Sequence, residues 1–109
     1  MISWEDFEKV DIRVGTIIAA CDFPAARKPA YQLTIDFGTI GIKRSSAQIT
    51  NLYNKEELIS MQVIAVVNFP VKQVGNFFSE CLVLGVYNEH NQVVLLQPVQ
   101  HVAAGSKVG

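Results

Sequence analysis

The chain has 109 residues, half of them apolar, with 9 Lys and Arg against 10 Asp and Glu for a net charge of −1. That length holds one domain, residues 1–109, and is too short for two. The balanced charge excludes a global positive field for nucleic acid or anionic membrane. No stretch approaches the roughly 18 apolar residues of a membrane span, and the N-terminus MISWEDFEKV carries acids and no long apolar run. A soluble, cytoplasmic protein without membrane insertion is expected.

In chain order, Ser3 before Trp4, Glu5 and Asp6 predicts a helix over residues 4 to 9, capped by a side-chain oxygen, with acids where the dipole favours them. Trp4 and Phe7 fall on one side of it and need either the core or a second subunit to cover them. Asp11 to Phe23 reads as a long strand with a bulge at Gly15. After a loop over Phe23 to Pro29, Tyr31, Leu33, Ile35 and Phe37 alternate with Gln32, Thr34 and Asp36, a strand with one dry face. Gly38 to Gly41 turns into a third strand, IGIKRSSAQ, expected to point Ile40 and Ile42 inward and Lys43 outward.

Asn54 is placed to cap a short helix over KEELISM. Gln62 to Phe69 and Cys81 to Tyr87 are nearly all apolar, which predicts strands buried on both faces, and a further strand follows at VVLLQPV. Gly105 suggests a last turn near the surface. The fold class is therefore all-β. Five strands, a short N-terminal helix, a helix between strands three and four and a C-terminal strand extension match an OB-fold, a five-stranded Greek-key barrel.

Cys21 and Cys81 lack CxxC spacing and sit in apolar surroundings, so both are expected to be reduced and buried, with no metal site. His90 and His101 stand apart from any ligand cluster and are expected at the surface. Ser45, Ser46 and Ser79 have no identifiable triad histidine, no phosphate-binding glycine loop exists, and Glu56 and Glu57 lie on an exposed helix. No catalytic residue and no cofactor is expected.

The most informative stretch is VVNFPVKQVGNFFSECLVLG, residues 66 to 85. Its middle reads as a loop, and a buried loop could not satisfy its own backbone. Lys72, Phe77 and Phe78 are therefore expected at the surface as a mixed apolar and cationic patch, the competing reading being that the two rings fold back over the core. Around it, Phe69 and Pro70 offer apolar surface, Gln48 and Asn68 offer amides, and Arg27, Lys28, Lys43 and Arg44 offer charge. Ser79 and Glu80 are expected to anchor the loop, Glu80 by accepting backbone hydrogen bonds.

FEKVDIRVGTI at 7 to 17, IDFG at 35 to 38, SSAQIT at 45 to 50 and the NFP…SE pattern from 68 resemble the tRNA-binding domain family. FPAARKPA at 23 to 30 and VIAVVNFP are similar to its bacterial, secretion-related chaperone branch. The resemblance implies an OB-fold homodimer, joined through the N-terminal helix region and terminal segments, that binds peptides or unfolded precursor polypeptides for export. RNA-binding members carry Ser-Glu-Gly-Met where this chain has Ser79, Glu80, Cys81 and Leu82. That departure makes structure-specific tRNA binding the second reading, expected to be weak and salt-sensitive.

Overall fold

A computed structural model describes residues 1–109. Both helices form where their caps predict. Ser3 Oγ accepts the Asp6 N–H and the Asp6 carboxylate accepts the Ser3 N–H, each at 3.1 Å, a reciprocal cap that starts α1 (Trp4–Glu8). These bonds hold the Asp6 carboxyl below its usual range. Asn54 and Glu57 cap α2 (Lys55–Leu58) in the same way, and its Leu58 is fully buried.

The barrel is built around β1 (Ile12–Asp22). Its first half pairs with β4 (Gln62–Val66) and its second with β2 (Tyr31–Asp36), so one strand serves two halves of the sheet. The bulge that permits this lies between Ile17 and Ala19, not at Gly15. Gly15 has a different reason: a Cβ there would come within 2.4 Å of Ile35 Cγ2 and 2.6 Å of the Phe37 ring, so its bareness lets the barrel interior close. On β2 the alternation holds, with Tyr31, Leu33, Ile35 and then Phe37 all buried.

A 3₁₀ turn over Gly38–Ile40 leads to β3 (Ile42–Ala47), where the expected facing is wrong. Ile40 and Ile42 are exposed, Lys43 is half-buried, and Ser45 and Ala47 point inward. The register decides this. Cross-strand partners share a face, so Ser45 follows Leu33, Ala47 follows Tyr31, and Ile42 follows the outward Asp36. Ser45 tolerates burial because its Oγ donates to the Cys81 carbonyl at 3.0 Å.

After β4 come β5 (Lys72–Val74) and β6 (Phe77–Ser79), a hairpin, then β7 (Leu82–Val83) back on β4, and a second hairpin of β8 (Gly85–Tyr87) and β9 (Val93–Leu95). The expected doubly buried strand from Cys81 to Tyr87 is thus two pieces, and Leu82, Val86 and Tyr87 are exposed. The main sheet runs β3-β2-β1-β4-β7, antiparallel throughout. A backbone bond from Glu80 N–H to the Arg44 carbonyl (2.7 Å) draws its two ends together into a nearly closed OB-fold barrel. The C-terminal segment, turned at Gly105, lies against β1 through Gly105 N–H to Val14 O (2.7 Å) and Val108 N–H to Ile12 O (2.9 Å). No helix is long and apolar enough to cross a membrane.

The cysteines separate. Cys81 is buried, and burial pushes its thiol up to about 11, whereas Cys21, near the end of β1, is exposed and not buried as expected. A thiol reagent at pH 8 is expected to titrate one thiol per chain at once and the second only on unfolding; two fast thiols would contradict this placement. The folded Cys81 also holds its proton more tightly than the unfolded thiol at 9.0. Its contribution to stability is therefore complete below about pH 9 and lost as the pH rises toward about 11.

Candidate functional site

Residues 70–78 form a β-hairpin rather than an irregular loop. Gly75, at φ 62°, and Asn76 make the turn between β5 and β6. Strand alternation then sends the two adjacent rings to opposite sides. Phe78 is 54% exposed, but Phe77 is 3% exposed, so the expected surface position of Phe77 is corrected. Its ring packs against Phe23, with centroids 5.4 Å apart, in a small cluster with Ala30 flanked by Ala26 and Val74. This cluster staples the loop after β1 onto the hairpin.

Arg44, on the outward side of β3, reaches the same Phe77 ring. Its guanidinium sits 4.4 Å from the Phe77 ring centroid and donates to Gln32 Oε1 at 3.3 Å. The base of the hairpin is tied to β3 by polar contacts: Arg44 N–H donates to Glu80 Oε1 at 3.0 Å and Ser46 N–H to Ser79 Oγ at 3.2 Å. Ser79 Oγ in turn donates to the Cys81 carbonyl at 3.4 Å.

Exposed apolar surface remains at Phe69, Val71 and Phe78, with Pro70 and Lys72 exposed beside them in sequence. Arg27 and Lys28 are exposed on the loop after β1. Asn68 is not a free amide: its Oδ1 accepts the Asp11 N–H at 3.0 Å and its Nδ2 donates to the Lys9 carbonyl at 2.7 Å, pinning the segment before β1. Gln48 and Lys28 instead line a groove of about 730 Å³ between Ser46–Asn51 and Leu82–Gly85, bordered by Tyr87, Asn91 and Val93. Sequence reasoning missed this groove, because its walls, 46–51 and 82–85, lie far apart in the chain and meet only through barrel closure. The hairpin did have a signal, Gly75-Asn76 between two short apolar-polar runs.

At the other end of the chain, Trp4 is 86% and Ile2 75% exposed, and with Phe7 and Gly109 they line an open apolar recess. No residue of α1 is buried.

A profile of the family described as "Putative tRNA binding domain" matches residues 12–107, and the chain belongs to the tRNA-binding domain family. Within that family it is similar to CsaA-type proteins. It is 52% identical to the chaperone CsaA from Bacillus anthracis (TM-score 0.95, covering 100% of this chain and 99% of that one). It is 55% identical to the CsaA chaperone protein from Picrophilus torridus (TM-score 0.94, covering 100% of both). Among curated proteins it is 35% identical to the methionine–tRNA ligase of Porphyromonas gingivalis over 98% of this chain, but spans only 15% of that protein's length.

Proposed function

We propose that this protein is a chaperone that holds peptides or unfolded precursor polypeptides in support of protein export, without catalysis, as a cytoplasmic homodimer. The observation that carries this reading is the pairing of half-exposed apolar side chains, Phe69, Val71 and Phe78, with exposed cations on the two loops that border the OB-fold ligand face. Similarity to CsaA chaperones supports it. The outward positions of β2 and β3 are Gln32, Thr34, Asp36, Ile42, Arg44 and Ser46, with no aromatic on which a base could stack. The peptide-binding residues are Phe69, Pro70, Lys72, Phe78 and Gln48, with Arg27, Lys28, Lys43 and Arg44 supplying charge. Phe77, Ser79 and Glu80 hold the hairpin in place.

Structure-specific tRNA binding is the second reading, favoured by the family and by the cations Arg27, Lys28, Lys43, Arg44 and Lys72. Five charges per protomer support a weak, salt-sensitive site, doubled in a dimer. Competition between tRNA and an unfolded polypeptide, read at two salt concentrations, separates the two. Peptide binding is expected to persist at high salt while tRNA is released; nanomolar tRNA binding at physiological salt with a steep salt slope would reassign the protein to RNA.

The dimer rests on Trp4 and Ile2, which the same chain leaves largely open, and on the exposed part of Phe7 beside them. Sedimentation at micromolar concentration is expected to give about twice the chain mass of 12.0 kDa, and a mass of one chain would exclude the dimer.

A further inference from the structure

The strands at the two ends of the main sheet, β3 and β7, face each other across the barrel seam, and neither has a strand on its outer side. Their main chains meet in one backbone bond, Glu80 N–H to the Arg44 carbonyl, and side-chain bonds close the same end: Arg44 N–H to Glu80 Oε1, Ser45 Oγ to the Cys81 carbonyl and Ser46 N–H to Ser79 Oγ. Past Ser46 the seam widens into the groove between Ser46–Asn51 and Leu82–Gly85.

Main-chain direction alternates along a strand. Arg44 and Ser46 turn their N–H groups toward the seam, so Gln48 continues the same row, and its N–H and C=O have no partner within the protein. On the facing wall Leu84 N–H donates to Ile64 O of β4 at 2.8 Å, so the peptide group of the preceding Val83 turns to the groove. Lys28 is the only charged residue along the lining, and no acid is present.

We propose that this seam is a strand-insertion site, in which an extended, neutral or acidic polypeptide segment enters past Ser46 and pairs with the main chain of Gln48 on one wall and Val83 on the other. The proposal rests on the chaperone reading and specifies how the client is held. A strand edge presents one donor and one acceptor for every two residues, at a rise of about 3.3 Å per residue, a spacing that an extended polypeptide matches. Main-chain pairing reads no side-chain sequence, which suits a protein accepting many clients. The lone cation complements acidic residues and repels basic ones. Nucleic acid fits poorly, because one cation cannot neutralise several phosphates.

The test uses the full chain, reduced carboxymethylated α-lactalbumin as an unfolded acidic client, and two blocked hexapeptides of alternating valine and glutamate. One of these is N-methylated at every second peptide nitrogen. The unmethylated peptide is expected to bind about ten-fold or more tightly than its methylated twin, since methylation removes donors and keeps the side chains. It is also expected to slow amide exchange at Gln48 and Val83. Equal affinity of the two peptides, or protection confined to 72–79, would overturn the seam site and leave the chaperone reading intact. Protection at Gln48 by tRNA but not by peptide would overturn it in favour of RNA. Failure of the unfolded α-lactalbumin to bind at all would bring down the chaperone reading itself.

Discussion

Phe77→Ala is expected to destabilise the protein by about 3–5 kcal/mol, and Phe78→Ala, one residue away, by no more than about 0.5 kcal/mol. The contrast follows from the hairpin. Phe77 is 3% exposed and is contacted by the Phe23 ring on one side and the Arg44 guanidinium on another, whereas Phe78 is 54% exposed. Truncating Phe77 removes the centre of the small cluster of Phe23, Ala30 and Phe77. The loop after β1 and the hairpin thereby lose their mutual anchor. Urea denaturation followed by circular dichroism measures both variants. Equal midpoints would mean that the two rings are interchangeable and the hairpin register is wrong.

The second large effect is expected in function. Replacing Phe69 and Phe78 together with Ser should leave the fold intact and abolish suppression of aggregation of a denatured client. Each ring is slightly more than half exposed, so roughly half of the ~1.5–3 kcal/mol for complete burial of such a side chain is still available to a client. Two rings then contribute about 1.5–3 kcal/mol, or an affinity loss of about 10- to 150-fold. Light scattering of the aggregating client and a direct binding titration read the change. A double variant with unaltered client affinity would remove these rings from the site and leave the cations and the groove to account for binding.

Much of the architecture was readable from local chemistry. Ser3 and Asn54 start helices because a side-chain oxygen three residues from a free N–H makes the same bond in any context. Tyr31 to Phe37 reveals its facing because every second residue is large and apolar. The third strand misled for the opposite reason. Its isoleucines suggest an inward face, yet its register with β2 carries Ser45 inside, and only the Cys81 carbonyl across the seam makes that acceptable. Gly15 read as a bulge, but the bulge lies further along and the role of Gly15 is spatial, since Ile35 and Phe37 occupy the place a side chain would need.

The candidate site divides in the same way. Exposed Lys72, Phe69 and Phe78 follow from a polar-flanked segment between strands. The inward turn of Phe77, the internal use of the Asn68 amide and the groove beside Gln48 do not. Both helix starts, the strands β1 to β4 and the family are legible in the sequence, because each rests on neighbours in the chain. The tertiary structure alone decided which aromatic is buried, which thiol is open and where the sheet's two ends meet. Those outcomes depend on strand register and barrel closure, which bring together groups that have no local signal of one another.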